Sequence, residues 1–318
     1  MKSRLLVWII LALATGAARA DDSKALWYVQ IDNDVIFQTD RWYTSGVRVA
    51  RSFPAGNADS AFGVALREWL RPANARAQRF EWGLVQEIYT PNTNLDTPAP
   101  VDRPYAGRLL LTAARHDELS GGLQTLEVEA GVRGPSALGR QAQAFVHRFV
   151  PSPHDDWSRQ LPDRFDGAVV GSRSWDIVLS GPVEERVVVH AGGVAGNIRA
   201  FVHSGVEFRA GHGGTTTIEQ PALRFAATPP ATRAADGWSA FAGASARYVL
   251  RDELLVGNDH PLGPPLTRNR AILRSAVGFA WHGRLGTATF AIVQDTREFQ
   301  EQTRNDRFGI LGLTLELF

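Results

Sequence analysis

Leu311-Gly-Leu-Thr-Leu-Glu-Leu-Phe318 places leucine at every second position and sets Gly312, Thr314 and Glu316 between them. A period of two sends successive side chains to opposite faces, so this is a strand with one apolar and one polar face. The same alternation recurs upstream. Leu126, Val128, Ala130 and Val132 alternate with Glu127, Glu129 and Gly131, and Val206, Phe208 and Ala210 alternate with Glu207 and Arg209. A membrane barrel produces it with lipid outside and polar groups in the lumen. A soluble sandwich produces it with the polar face in water. Three features tilt the choice toward the barrel. The amphipathic strand runs to Phe318, and strands reach the nine to eleven residues, roughly, that a tilted span requires. Aromatic residues gather near strand ends (Trp27-Tyr28, Trp42-Tyr43, Tyr248 and Trp281), as interfacial girdles would.

Strands are predicted at 26–35, 44–53, 80–90, 105–115, 122–133, 172–181, 186–196, 202–211, 238–250, 270–282, 285–296 and 307–318. A thirteenth segment, 219–227, is interrupted by Pro221 and is assigned to a loop. Single-chain bacterial barrels favour even strand numbers. The expected fold is therefore all-β, a twelve-stranded antiparallel transmembrane β-barrel.

The first twenty residues read as a secretory signal peptide. Lys2 and Arg4 precede the apolar run Leu5–Ala14, and Ala18-Arg-Ala20 is a small-x-small cleavage site. Residues 21–318 then form the barrel domain. The leader carries three of the 34 basic residues, against 33 acidic ones, so the remainder is close to neutral. That excludes a general nucleic-acid binder. The chain has no cysteine, and Lys24 is the one lysine outside the leader.

The longest patterned interruption is 134–171. After Gly134-Pro135, Leu138, Ala142, Phe145 and Phe149 fall on one helical stripe, and Arg140, Gln143 and His147 fall opposite. Pro151 ends the helix. Such a short helix in an extracellular loop can lay its apolar stripe on the barrel rim or in the lipid interface.

The chemistry-bearing run is Asp32-Asn-Asp-Val-Ile-Phe-Gln-Thr-Asp-Arg-Trp-Tyr-Thr-Ser-Gly46. Three carboxylates, an asparagine and two threonines offer hard oxygen ligands at a density suited to Ca²⁺. There is no G-x-S-x-G elbow and no H-E-x-x-H, and thiol nucleophiles are ruled out by composition.

This run resembles the opening signature of the outer-membrane lipid A 3′-O-deacylases, the LpxR family. Further matches follow in order: Gln86-Glu-Ile-Tyr-Thr-Pro91, Asp102-Arg-Pro-Tyr-Ala-Gly107, Gly134-Pro135 leading to Gln143-x-x-x-His147, and Trp157-x-x-Gln160-Leu161. Gly196-Asn197, Asp252 with Gly257-Asn258, and Thr296-Arg-Glu-Phe299 complete the set. The resemblance implies a twelve-stranded barrel whose site lies at its outward end, between the wall and a helical loop, with Ca²⁺ as cofactor. It implies His147 as general base, Asn33 and Asp34 as metal-holding and catalytic residues, and Thr44 as a further catalytic residue. Some members use a lysine after Tyr-Thr-Pro. Here Asn92–Asp102 contains none, and Arg103 is the nearest cation.

The residue chemistry runs parallel to that implication. A neutral imidazole can accept a water proton at physiological pH, and a bound Ca²⁺ can polarise an ester carbonyl. Adjacent strand residues point to opposite faces, so Asn33 and Asp34 can act together only if the strand kinks or ends there. Asp32 shares a face with Asp34 and points to the lumen.

Arg41, Arg103 and Gln143 are assigned to substrate binding, with Arg159 and Arg164 as further phosphate contacts. Gly196-Asn197 and Thr296–Phe299 are structural. The expected function is a calcium-dependent outer-membrane esterase that removes the 3′-O-linked acyloxyacyl chain of lipid A, the partner being lipopolysaccharide and the protein a monomer. The alternatives are a phospholipase-type esterase and a porin-like barrel, whose lumen Glu127, Glu207 and Arg209 would line unless ion pairs plug it.

Overall fold

The computed structural model describes residues 25–37, 39–54, 75–92, 102–148, 156–179, 184–212, 236–255, 266–283 and 285–315. The proposed leader and the segment 219–227 lie outside these residues. Twelve strands form a closed antiparallel barrel. They are β1 (Leu26–Asn33), β2 (Trp42–Pro54), β3 (Ala75–Thr90), β4 (Ala106–Leu119), β5 (Gly122–Arg133) and β6 (Arg164–Leu179), followed by β7 (Glu184–Gly196), β8 (Arg199–His212), β9 (Gly237–Asp252), β10 (Ala271–Gly283), β11 (Gly286–Asp295) and β12 (Asp306–Leu315). Each strand pairs with its sequence neighbours, and β1 closes on β12 through partners running from Trp27–Leu315 to Asn33–Gly309. Full closure leaves no unpaired strand edge, as a hydrocarbon environment demands. No helix among the described residues is long and apolar enough to cross a membrane.

The alternation resolves as expected for a barrel with a polar interior. Trp82, Leu111, Val128, Phe165, Val178 and Leu273 are large apolar side chains on the outer surface, Leu111 being 67% exposed. Inside, charges are matched in pairs. Arg48 bridges Glu81 (2.7 Å) and Glu127 (2.9 Å), and Arg108 reaches Glu87 (2.6 Å) and Asp166 (2.7 Å). Arg209 holds Glu207 at 2.6 Å and Arg274 holds Asp295 at 2.7 Å. Glu127 is thus tied through Arg48 to β2 and β3, whereas Glu207 and Arg209 pair within β8.

Two expectations are corrected. Tyr28, Trp42 and Tyr43 do not join an interfacial girdle. Tyr28 faces the lumen and donates to Gln30 Oε1 at 2.5 Å, Tyr43 donates to Asp32 at 2.8 Å, and Trp42 is 1% exposed within the rim cluster of Leu255, Leu266 and Phe299. Trp27, Tyr248 and Trp281 alone keep outward positions. Second, β6 starts at Arg164 rather than 172. Its upper half alternates, with Phe165 outward at 65% exposed and Asp166 inward on Arg108, but Gly167 and Gly171 blank the pattern.

The β4–β5 connection shows why glycine is needed at one point. Gly121 and Gly122 have φ of 84° and 149°, and a Cβ on Gly122 would sit 2.1 Å from the Ser174 carbonyl oxygen. At the opposite end of the barrel, Asn197 makes a tight β7–β8 turn. It accepts from Gly167 N and donates to the Phe165 carbonyl, which accounts for Gly196-Asn197 structurally. Thr296 Oγ1 likewise accepts from Leu273 N, and Phe299 is fully buried.

Candidate active site

β1 ends at Asn33, so the condition for Asn33 and Asp34 to act together is met. The Asn33 carbonyl oxygen of the side chain accepts Val35 N at 2.7 Å, turning the chain into the single 3-10 turn Val35–Phe37. Asp34 is thereby folded inward to 1% exposure. Its backbone N donates to Thr44 O at 3.3 Å, and its carboxylate accepts Arg41 N at 3.0 Å. Burial pushes the Asp34 carboxyl up to about 9, and the neighbouring carboxylates Asp40 and Asp306 add to that rise.

Thr44 arrives through a bulge. β2 pairs with β3 as Tyr43–Tyr89 and then Ser45–Ile88, leaving Thr44 without an opposite number. The extra residue lets Tyr43 face the lumen while Thr44 and Ser45 both turn to the outer side of the wall. There Thr44 Oγ1 meets Thr90 Oγ1 at 2.7 Å.

The helix α1 (Gly139–Val146) packs on that same outer side. It follows a 3-10 turn, Pro135–Ala137, and a left-handed Leu138 at φ 58°. The approach is close. A Cβ on Gly107 of β4 would lie 3.1 Å from Gly139 N, and one on Gly139 would strike the Trp157 ring at 2.8 Å. Gln86 of β3 donates to Ala137 O at 2.7 Å, and Ile88, Tyr105 and Trp157 form the apolar seat against which Ala142 packs.

The orientation is the reverse of an ordinary surface helix. Gln143 is 2% exposed and turned to the wall, whereas Leu138 and Phe145 are 48% and 59% exposed. Phe149 lies outside the described residues. The polar stripe converges on one carboxylate. Both oxygens of Asp40 accept Gln143 Nε2 at 3.1 Å, and His147 Nε2 lies 3.3 Å from Asp40 Oδ2. Gln143 Oε1 accepts the Trp157 indole N–H at 2.7 Å, which fixes the amide's orientation. His147 caps the helix through its backbone N to Gln143 O at 2.9 Å, and its side chain keeps 19% exposure.

The structure therefore gathers Asn33, Asp34, Thr44, Gln143 and His147 around the gap between the β1–β3 wall and α1. Arg41 sits at its edge, half-buried, with its guanidinium 4.6 Å over Trp42. Arg103 is not brought there. It is 2% exposed, stacks 4.4 Å over Tyr89 and pairs with Glu298 at 3.0 Å. Arg159 is exposed, and Arg164 lies 3.6 Å from Glu253. Asp32 faces the lumen, bonded to Tyr43 and Gln30. Sequence reasoning gave no role to Asp40, which joins the two halves. It stands in the acidic run, but nothing local ranks it above Asp32. Trp157 was equally unassigned; its only signal is the fixed Trp-x-x-Gln-Leu spacing.

A hard cation fits this donor set in charge and ligand type. Asp34 is a buried carboxylate that accepts the Arg41 backbone N–H, and the nearby side-chain oxygens of Asn33 and Thr44 are of the kind Ca²⁺ takes. Among the described residues, no three His, Cys, Asp or Glu side chains gather as a metal cluster, so neutral and backbone oxygens would have to complete the shell.

Against known proteins, the solved structure titled LpxR from Salmonella typhimurium superposes with a TM-score of 0.72 at 16% identity, covering 92% of this chain and 100% of that one. The translocator domain of the autotransporter NalP from Neisseria meningitidis aligns at a TM-score of 0.38 and 9% identity, over 100% of this chain and 95% of that one. No curated protein matches the sequence. The family model described as outer membrane protein LpxR matches residues 5–317, and the chain belongs to that outer-membrane family.

Proposed function

We propose that this protein is an outer-membrane esterase that hydrolyses the 3′-O-linked acyloxyacyl chain of lipid A. The observation that carries the reading is the Asp40–His147 pair, 3.3 Å apart, formed where α1 packs against the outer side of the barrel wall. An imidazole whose Nε2–H is held by a carboxylate keeps the Nδ1 lone pair for proton abstraction. His147 takes a proton from water, and the water oxygen adds to the ester carbonyl carbon. The tetrahedral adduct then collapses with cleavage of the bond between the acyl carbon and the sugar oxygen, which takes the proton back from His147. Free acid and sugar hydroxyl are the products. Asp40 stabilises the imidazolium between these steps and fixes the ring plane.

Gln143 holds Asp40 in place and is itself held by Trp157, so the carboxylate is oriented toward the ring. Asp34, with Asn33 and Thr44, would hold Ca²⁺, which when bound supplies Lewis-acid stabilisation of the charge developing on the ester oxygen. Arg41 at the edge of the gap offers a phosphate contact.

The test is mass spectrometry of lipid A incubated with the purified protein in detergent, with Ca²⁺, with a chelator and with His147→Ala. Loss of one acyloxyacyl chain, abolished by chelator and by the substitution, supports the reading. Cleavage of phospholipid with lipid A untouched would transfer the same machinery to the phospholipase-type substrate.

A further inference from the structure

The antiparallel register sorts the outer face of β1–β4 into rows. Asn33, Ser45, Ile88 and Gly107 share the row on which α1 is seated. The next row toward the middle of the barrel is Ile31, Val47, Gln86 and Leu109, and the one after it Val29, Val49, Leu84 and Leu111. Ile31 and Val47 are 44% and 37% exposed, and Leu84 and Leu111 46% and 67%, so the apolar outer belt begins one row below the helix. At roughly 3.3 Å per residue along a strand, two residues separate the helix row from that belt by about 7 Å, less the strand tilt. The helix lies beside the barrel at the upper edge of the belt, not above its mouth.

What α1 turns away from the wall is therefore decisive. Leu138 and Phe145, seven residues apart on one face, are exposed, and Ile36 on the opposite lip of the gap is 49% exposed. Arg140 and Arg148 flank them on the surface, with the Arg148 guanidinium 5.9 Å over the Phe145 ring. A helix bordered by water would carry its polar stripe outward, yet here Gln143 and His147 point inward. Apolar side chains bracketed by arginines, continuous with a lipid-facing belt, match the composition of a helix lying in a membrane interface.

We propose that α1 is an interfacial helix. Leu138 and Phe145 enter the acyl layer of the outer leaflet, Arg140 and Arg148 take the phosphates of the lipids beside it, and the gap is loaded sideways from the membrane. The loading clause rests on the esterase reading above; the placement of the helix does not.

The chain has no cysteine, so single cysteines can be spin-labelled without background. Labels would be placed at Phe145 and Leu138, with Leu111→Cys as the lipid reference and the exposed Thr303→Cys as the aqueous one. The samples are phosphatidylcholine bilayers with and without lipid A. Labels 138 and 145 are expected to collide readily with oxygen and poorly with a water-soluble nickel chelate, as Leu111 does. Accessibility like that of Thr303 would overturn the proposal.

Turnover gives the second readout. Phe145→Ser and Leu138→Ser are expected to lose about tenfold in lipid A hydrolysis in bilayers and little in detergent dispersion, because only the bilayer reaction uses the interfacial contact. Equal loss in both, or loss in neither, would overturn sideways loading. Deep labels in a wild-type protein that cleaves no lipid would keep the interfacial helix and remove the esterase reading.

Discussion

The two sides of the β1–β3 wall treat their carboxylates in opposite ways. On the lumen side Glu81 and Glu127 share Arg48, and Glu87 shares Arg108 and Arg199. On the outer side Asp34 is bonded to a backbone N–H, and Asp40 meets an amide and an imidazole. A charge matched by a guanidinium is spent on structure, since breaking the pair leaves the other member buried and alone. A carboxylate held by an N–H, an amide or an imidazole can orient that ring or take a cation or a substrate. The contrast separates scaffold from chemistry among residues that look alike in the sequence.

Substitutions on each side should differ in kind. His147→Ala is expected to reduce lipid A hydrolysis by about 10³- to 10⁴-fold while leaving the circular dichroism of the barrel intact. A variant that kept a tenth of the activity would remove His147 from the reaction. Asp40→Asn should cost about 10²-fold in kcat with little change in KM, because it disturbs the ring's tautomer rather than substrate contact. A pure KM effect there would assign Asp40 to binding instead.

The lumen should answer in stability, not in rate. Arg108→Met leaves Glu87 and Asp166 without their shortest partner and is expected to destabilise the barrel by about 3–5 kcal/mol in denaturant unfolding, with the folded fraction still active. Equal loss of specific activity would show that the interior network also tunes the site.

Asp34 yields a pH test. Its carboxyl rises from 3.8 to about 9 on folding, so across that window the folded, metal-free chain must take up a proton the unfolded chain has lost. Stability in chelator should therefore fall as pH rises through this range, and Asp34→Asn should flatten the slope and abolish any stabilisation by Ca²⁺. A calcium response that survives the substitution would place the cation elsewhere. The smallest effect is expected from Trp157→Phe, which removes one buried hydrogen bond worth about 1 kcal/mol and should slow turnover only several-fold.

The barrel was legible because the period of two is written along most strands, as in Leu126–Val132 and Leu311–Leu315. Twelve strands followed from that pattern. The upper half of β6 escaped it because glycines carry no face, and Tyr43 was misjudged because a bulge one residue away reverses the alternation. The helix was legible as a helix, with Gln143 and His147 rightly one turn apart. Which face met the wall was not, since that depends on Gly107 and Gly139 approaching within a methyl group of each other. Asp40 gained its place only through contacts more than a hundred residues away in sequence.

The seam between first and last strands has a consequence for biogenesis. Asn33 is paired with Gly309, and Tyr43, beside the bulge, donates its backbone N–H to the Asp306 carboxylate at 3.2 Å. The β1 end of the site is thus braced by β12, the strand that closes the barrel, at Asn33 and Tyr43. Closing the barrel and completing that brace are therefore one event: a barrel whose first and last strands have not met lacks two of the contacts that position the run from Asn33 to Tyr43.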